Sequence, residues 1–407
     1  MNFEVIKRSH VKRNILIGVL VVLILTAIIL TFTKAKYKIT ESIPLVNGTI
    51  NYELSDFNLI GAYIQEGDSY TQVDEIPTSG YEFNVEKSYC TVNNENINAT
   101  LNYDMETQNL TITPLTTKGT KCYLYFDEKA SGGDYILAGD NPPTNSTTDW
   151  TGGTSYYYTG NPNNWVQFGG FWWRIIRING DGSIRMIYQG TSANTTGERI
   201  QIGVSEFNLY SNKTYVGLVY DGISQHGYGT NSTIMNTLNN WYNDNIENDS
   251  KDLHYEQYID TGVGFCSDRN LASGNYWTDR SFYYAPSKRT NNGSLQCNSE
   301  DILSQDNGKL QNPIGLITSD EAVLTDITWN NANTESYLYT GQPYWTMSPY
   351  SFNGVGSNVL IVVSDGSLYY TFTDGTSGIR PVINLKDDVQ LCGSGTTTDP
   401  YKVVGAE

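Results

Sequence analysis

Alternation of apolar and polar residues dominates the chain between residues 45 and 128. It occurs in short segments, namely TINYEL, YEFNV, ATLNYDM, NLTITPL and CYLYFDE. Successive side chains of a β-strand point to opposite faces of the sheet, so a period of two is typical of half-buried strands. We therefore expect residues 45–128 to form a small β-sandwich-like domain that acts as a stalk.

A stretch rich in Gly, Pro, Ser and Thr follows these strands, KASGGDYILAGDNPPTNSTTDWTGG. These residue types favour turns and loops. We expect residues 129–150 to be a linker that leads into a second domain, residues 151–407.

The second domain contains two similar hairpin patterns. WWRIIRINGDGSIRMIY and IVVSDGSLYYT each place an Asp-Gly-Ser turn between two apolar strand segments. Glycine adopts the positive φ angles that such tight turns require. Both segments therefore predict β-hairpins.

Helices are indicated at two places in this domain. Residues 232–246 carry apolar side chains on one helical face, with Ser232 or Thr233 as the cap. The segment from Thr318 to Glu321 is a capping box that precedes an apolar run.

The longest apolar run lies near the N-terminus, from Ile15 to Phe32. Its length is close to the roughly 20 residues that span a bilayer. Basic residues precede it, which favours a cytoplasmic N-terminus, and no small-residue cleavage site follows it. We expect a cytoplasmic tail at 1–14, an uncleaved transmembrane signal anchor at 15–33, and the remainder of the chain outside the cell.

The cysteine spacing suits an oxidising compartment. Of the five cysteines, Cys90 and Cys122 bracket one stretch, and Cys266 and Cys297 bracket another, which predicts two local disulfides and leaves Cys392 unpaired. There is no C-x-x-C pair and the three histidines are scattered, so we expect no zinc site.

Composition limits the partners. Acidic residues outnumber basic ones 43 to 25, giving a net charge of −18, which would repel a nucleic-acid backbone. The chain also has 31 tyrosines and 38 glycines, which suits strands joined by tight turns.

The order of the motifs in the second domain resembles a family of uncharacterised bacterial surface proteins with a C-type-lectin-like domain. The motifs are WWRIIRINGDGSIRMIY, the stretch from Cys266 to Cys297, NPIGLITSDEAVL, YWTMSP, and SDGS followed by GIRPVINL. This family is related to formylglycine-generating enzymes and to the variable proteins of diversity-generating retroelements. The expected fold class is therefore α+β: a C-type-lectin-like domain preceded by a small β-sandwich domain and an N-terminal transmembrane helix.

The resemblance also implies structural roles. Trp345 would start the exposed stretch near the C-terminus, and Gly378 and Arg380 would return the chain to the core, with fixed hydrogen bonds from the guanidinium group. The predicted structural residues are Trp172, Trp173, Trp345, Asp365, Gly366, Gly378 and Arg380.

Enzymatic chemistry is not expected. A formylglycine-generating oxidase needs reactive cysteines near the end of the domain, and TSGIRPV has none after the arginine. His226 and His254 stand beside no nucleophile motif, so we interpret both as solvated loop residues. No cofactor is predicted. Calcium stays open because lectin-like folds often hold it, although no D-x-[DN]-x-[DN]-G loop occurs.

The remaining hypothesis is a binding surface on the last hairpin and its loops. Tyrosine offers a large contact area at little entropic cost, and small polar residues add adaptable hydrogen bonds. The predicted ligand-binding residues are Tyr350, Phe352, Asn353, Asn358, Tyr369, Tyr370, Phe372 and Asp374. The expected function is a membrane-anchored surface protein that binds an extracellular protein or glycan. A divergent enzyme of the formylglycine-generating superfamily and a structural envelope protein are the alternatives.

Residues between Met347 and Lys386 include no Lys, Met, Trp, Glu or Gln. Codons that end in a pyrimidine cannot encode these residues, so retroelement diversification would leave such a trace. Strand and turn propensity would deplete most of the same residues. Both explanations are open from the sequence.

Overall fold

The computed structural model describes residues 58–66, 69–77, 81–104, 109–113, 119–128, 131–193, 195–248, 253–272 and 281–406. The predicted cytoplasmic tail (1–14) and signal anchor (15–33) lie outside these residues. Within them, no helix is both long enough and apolar enough to span a membrane. Tertiary contacts divide the chain into two units, with the boundary after Glu128.

The first unit is built on a five-stranded sheet with the order β2-β1-β7-β3-β4. β1 and β7 run parallel and the other neighbours run antiparallel. A separate hairpin consists of β5 and β6. The strands are β1 (Asn58–Glu66), β2 (Ser69–Val73), β3 (Tyr81–Val92), β4 (Glu95–Asn96), β5 (Thr100–Asp104), β6 (Asn109–Thr113) and β7 (Thr120–Glu128).

The core of this unit lies between the sheet and the hairpin. Leu101 and Tyr103 of β5 pack in one apolar cluster with Leu124 and Phe126 of β7. Burial along β7 alternates residue by residue, as the period-two pattern predicts. The Cys90–Cys122 disulfide joins residues that face each other directly across β3 and β7.

The second unit contains an eight-stranded sheet with the central order β23-β12-β11-β10-β25-β24 and with β9 and β8 added beside β11. Its strands come from both ends of the unit, because β12 pairs with β23 and β10 pairs with β25. They are β8 (Asn145–Thr148), β9 (Thr154–Tyr157), β10 (Trp165–Phe168), β11 (Phe171–Ile178), β12 (Ile184–Gly190), β23 (Val382–Leu385), β24 (Leu391–Cys392) and β25 (Tyr401–Val403).

A six-stranded sheet has the order β13-β22-β19-β20-β21, with β17 paired to β19. Its strands are β13 (Val204–Glu206), β17 (Phe282–Tyr283), β19 (Tyr344–Phe352), β20 (Ser357–Val362), β21 (Leu368–Phe372) and β22 (Thr376–Gly378). Two-residue strands form small pairs: β14 (Val219–Tyr220) with β15 (Thr230–Asn231), and β16 (Phe265–Cys266) with β18 (Ile302–Leu303).

The α-helices of the described residues are short: α1 (Gly132–Ala138), α2 (Thr233–Tyr242) and α3 (Ser319–Leu324). Both predicted caps are confirmed. The Ser232 hydroxyl accepts a hydrogen bond from the Met235 amide, and Thr318 and Glu321 form the reciprocal capping box. Single helical turns occur at Gly197–Ile200, Asn243–Glu247, Tyr255–Tyr258, Ala285–Lys288 and Ser299–Asp301.

The predicted fold class, an α+β chain with a C-type-lectin-like domain behind a small β-sandwich, is wrong. Strands account for 39% of the structure and helices for 14%, so the chain is mostly β with several sheets. The helix signals were located correctly, but α2 and α3 span only 10 and 6 residues. Ten of the 25 strands in the described residues have only two or three residues, and these pair because the tertiary fold brings them together and not because of a local pattern.

The segment 129–150, expected to be a linker, falls in the second unit. Within it α1 docks through the Gly132 amide, which donates to the Asp387 carbonyl, and β8 pairs with β9. A Cβ atom on Gly133 would lie 2.4 Å from the Gly182 carbonyl oxygen, so glycine permits this close approach.

Both predicted disulfides are present. Cys266 and Cys297 are joined in the second unit, and Cys392 is free and exposed. Disulfides form and persist in oxidising environments, so the pair of bridges indicates an extracellular or otherwise oxidising location.

Candidate ligand-binding surface

Four aromatic rings meet at the end of the six-stranded sheet: Trp329, Tyr350, Tyr369 and Tyr370. We call them the aromatic cluster. Tyr350 belongs to β19, the two other tyrosines belong to β21, and Trp329 lies in the loop after α3. The backbone brings these segments together, because residue 329 forms a parallel bridge with Leu368 at the start of β21.

The rings of the aromatic cluster are nearly parallel. The Tyr350 and Tyr370 centroids are 4.3 Å apart with an angle of 9° between the ring planes, and Tyr369 and Tyr370 are 5.0 Å apart at 13°. Trp329 lies 5.4 Å from Tyr350 and 5.3 Å from Tyr369. Such stacked pairs contribute about 0.5–1.5 kcal/mol each beyond their area burial, so the cluster holds its own geometry.

The members of the aromatic cluster differ in solvent exposure. Trp329, Tyr350 and Tyr370 are half-buried against the main core, whereas Tyr369 is 42% exposed. Tyr283 of β17 adds a perpendicular ring 5.5 Å from Tyr350. Its inner members are thus fixed by packing, and its outer member reaches the surface.

The cluster contains no acidic or basic side chain. Burial, together with the neighbouring phenols of Tyr283, Tyr370 and Tyr369, raises the pKa of Tyr350 to about 12. The group therefore presents apolar ring surface and neutral hydroxyls, which suits contact with a neutral ligand.

The structure separates the predicted ligand-binding residues into three sets. Tyr350, Tyr369 and Tyr370 join the aromatic cluster. Phe372, Asn353 and Asp374 lie at the opposite end of the β20–β21 pair, where they are exposed. Asn353 accepts hydrogen bonds from the amides of its own turn, and Asp374 accepts one from the Ser211 hydroxyl.

Phe352 and Asn358 are buried, at 8% and 2% exposure. Phe352 packs with Phe282 and Tyr284, and the Asn358 amide donates to the Ser351 hydroxyl. We expected both on the exposed loops of the last hairpin, but Phe352 ends β19, where β17 pairs with it from a segment far away in sequence. Asn358 lies in β20, in which every residue is buried. Neither side chain is exposed enough to contribute to a surface contact.

Trp329 and Tyr283 were missed by the sequence reasoning. Each lies outside the hairpin motifs, in TWNN and SFYYAP. No local pattern connects either segment with residues 350–370. Only the pairing of β17 with β19, and of residue 329 with Leu368, places them in the cluster.

The predicted structural residues occupy positions that suit that role. Trp173 and Trp345 are fully buried, and their indole nitrogens donate to the carbonyls of Phe168 and Ser205; Trp172 is half-buried against Trp165. The Asp365 carboxylate accepts from the Ser367 amide, and Gly366 has a φ of +80°. A Cβ atom on Gly378 would lie 2.0 Å from the Gln201 side chain.

Arg380 is completely buried and donates three hydrogen bonds. Its acceptors are the carbonyls of Tyr188 and Leu338 and the side-chain oxygen of Gln189. These bonds connect the segment after β22 to β12 and to the loop that precedes β19.

The histidines differ from the expectation of solvated loop residues in one case. His254 is exposed. His226, by contrast, is half-buried with Nδ1 2.9 Å from the carboxylate of Asp301, which is itself buried and paired with Arg269. In the part of the chain that the structure describes, no group of three or more His, Cys, Asp or Glu side chains is placed to hold a metal ion.

Comparison of the chain with protein-family models, with curated proteins and with solved structures finds no match. The family resemblance and the functional hypotheses therefore remain predictions.

Proposed function

We propose that this chain is a membrane-anchored extracytoplasmic binding protein that contacts a neutral glycan through the aromatic cluster. The observation that carries the proposal is the convergence of Trp329, Tyr350, Tyr369 and Tyr370, from three separate segments, at a partly exposed sheet end. Aromatic rings offer apolar faces, and the CH-rich faces of sugar rings can pack against them while the hydroxyls of tyrosine form hydrogen bonds.

The two disulfides support a location outside the cytoplasm, and the apolar segment 15–33 would provide the membrane anchor. The overall charge of −18 disfavours acidic macromolecules as general partners, which leaves neutral surfaces as the better ligands for an uncharged cluster.

A glycan array probed with the purified full chain tests this function. The chain would be kept in a polyoxyethylene detergent, because that detergent carries neither charge nor sugar. We expect at least one neutral glycan to be retained, and Tyr369→Ala to reduce its retention by about tenfold or more, equivalent to the roughly 1.4 kcal/mol that one ring contact can supply.

Phe372→Ala is the matched control. Phe372 lies on the same strand and is 43% exposed, close to the 42% of Tyr369, but it lies outside the aromatic cluster. Retention should be unchanged in this variant. The function would be refuted if no neutral glycan were retained, or if Phe372→Ala and Tyr369→Ala weakened retention equally.

A further inference from the structure

A cavity of about 350 Å³ opens in the second unit and shares no residue with the aromatic cluster. Its wall comes from Asn161, Arg174 and Gln189, from residues between 195 and 200, and from residues between 334 and 341. The volume falls within the range of small-molecule sites, which is about 300–1,000 Å³. It is large enough for a single sugar residue.

Arg174 forms part of this wall and is 3% exposed. Its Nε donates to Asn164 and its Nη2 donates to the Pro162 carbonyl, while the rings of Trp165 and Tyr337 lie 4.1 and 5.0 Å from the guanidinium carbon. Nη1 donates to no atom of the residues described. This leaves a guanidinium N–H group for the cavity.

Gln189 presents a second donor to the same cavity. Its side-chain oxygen accepts a 2.7 Å hydrogen bond from Nη2 of the buried Arg380. The amide is thereby oriented, so that its NH₂ group is the end left for the cavity wall.

Within the part of the chain that the structure describes, Arg174 and Arg380 both lack a carboxylate partner. Among the described residues, no Asp or Glu oxygen lies within the 4.0 Å of an ion pair from Arg174 or Arg380. Glu335 is the acidic residue of the cavity wall, and it is exposed. Buried charges in proteins are normally paired, so two unpaired arginines in a chain of net charge −18 are a specific feature of this region.

The hydroxyl of Tyr337 is a further polar group without a hydrogen bond among the described residues. Tyr337 lines the cavity, is 4% exposed, and its hydroxyl has no hydrogen-bond partner among the described residues. The wall thus combines a cation, an oriented amide donor and the side chains of Tyr337 and Tyr339.

We propose that this cavity binds an acidic monosaccharide, with its carboxylate between Arg174 and Gln189 and its hydroxyls on the polar wall. Guanidinium groups are well suited to carboxylates because their hydrogen bonds are charge-assisted. A bare carboxylate would leave most of the 350 Å³ unused. The proposal does not rest on the aromatic cluster binding a ligand, since it uses none of those side chains.

The test is calorimetric titration of the full chain, in the same polyoxyethylene detergent, with D-glucuronate, D-glucose and acetate. We expect saturable binding of glucuronate, and affinities at least tenfold weaker for glucose and acetate. Gln189→Glu should weaken glucuronate binding at least tenfold, because it places a negative charge on the cavity wall.

Gln189→Glu is chosen because the new carboxylate still accepts the hydrogen bond from Arg380, so the fold should be retained. Gln167→Glu, a half-buried position on β10 outside the cavity, makes the same charge change and should leave binding unaltered. Thermal unfolding of each variant, followed by tryptophan fluorescence, checks the fold.

Absence of saturable glucuronate binding would overturn the proposal. Equal affinity for glucose or acetate would also overturn it, as would unchanged binding in Gln189→Glu. Tyr369→Ala should leave glucuronate binding intact, so failure of this site and failure of the aromatic cluster give different results.

Discussion

Two hairpins of the second unit have nearly the same turn and opposite surroundings. In the first, β11 and β12 flank residues 179–183, and in the second, β20 and β21 flank residues 363–367. In both turns the first residue donates its amide to the carbonyl of the fifth, and the Asp carboxylate accepts from the Ser amide. The glycines have φ angles of +91° and +80°. The Asp-Gly-Ser sequence that the two turns share therefore produces one local geometry twice.

The position of each hairpin in its sheet makes the difference. β12 is paired on both sides, by β11 and β23, and every residue of it is buried. β21 is the last strand of its sheet; its first residue is buried, and the other four are half-buried or exposed. The same turn thus joins buried strands in the first hairpin and leads into a partly exposed edge strand in the second.

The chemistry of the two hairpins follows from this position. Arg177 and Arg185 are directly opposite each other across β11 and β12, where two like charges would repel. Glu321 of α3 lies between them, with its carboxylate 3.2 Å from Arg177 and 2.5 Å from Arg185. At the equivalent positions the edge hairpin carries Ile361 and Tyr369, which face each other across β20 and β21 and include no arginine.

Glu321→Gln, beside the core hairpin, should have the largest effect on stability. It keeps the shape of the side chain but leaves two buried guanidinium groups without their shared carboxylate, which we expect to cost about 3–5 kcal/mol of unfolding free energy. Urea unfolding followed by tryptophan fluorescence measures it, since all eight tryptophans lie in the second unit.

Glu335→Gln, at an exposed position, is the control for Glu321→Gln and should change stability by less than about 0.5 kcal/mol. A cost below 1 kcal/mol in Glu321→Gln would mean that the two arginines do not depend on this carboxylate.

Substitution of the two turn glycines should cost more unfolding free energy in the edge hairpin than in the core hairpin. A Cβ atom on Gly366 would lie 2.2 Å from the Asn333 carbonyl oxygen, whereas the nearest atoms to a Cβ on Gly182 are 3.6 Å away. Gly182→Ala should therefore cost only the strain of a positive φ, about 1–2 kcal/mol. Gly366→Ala adds a backbone clash and should cost on the order of 3 kcal/mol.

The same urea measurement compares the two glycine variants. Equal costs would indicate that the loop containing Asn333 moves aside without penalty, and that the edge hairpin is less firmly held than its contacts suggest.

Acidification should have the smallest effect, and in the core hairpin it should act through the carboxylate of Glu321. Burial by itself would raise the pKa of Glu321, but Arg185, Arg177 and the hydrogen bonds from Thr318 outweigh it and lower that pKa. The stability due to this group is present above its unfolded pKa of about 4.3 and is lost as the pH falls through the lowered folded value.

The stability gap between the wild type and Glu321→Gln should therefore shrink as the pH is reduced from neutral toward 2. Urea midpoints at a series of pH values measure this gap. A gap that stayed constant, or widened in acid, would contradict the lowered pKa.

Patterns with a period of two or a fixed turn sequence were predicted correctly. Four of the five alternating segments of the first unit form strands, whereas TINYEL (49–54) lies outside the described residues. These strands, the Asp-Gly-Ser turns, the Ser232 cap and the Thr318 capping box each depend on residues within a few positions of one another. Both disulfides were also predicted, because the simplest pairing joined neighbours in the sequence of cysteines.

The candidate surface was predicted only in part. Tyr350, Tyr369 and Tyr370 were identified from the composition of the last hairpin. Trp329 belongs to the same cluster, although no pattern in the sequence indicated it. Phe352 is buried because Phe282 of β17 packs against it. Likewise, nothing near Arg174 or Gln189 indicates that their cavity is enclosed by residues 334–341.

The sequence by itself determined the turns, the caps, the strand periodicity, the cysteine pairs and the strongly negative charge, since these depend on covalent neighbours or on composition. Only the tertiary structure decided the fold class, which of two equivalent hairpins is buried, and which distant side chains share a surface or a cavity. The physical reason is that hydrogen bonding between strands and exclusion of water act between residues far apart in the chain, and a local pattern does not specify its partner.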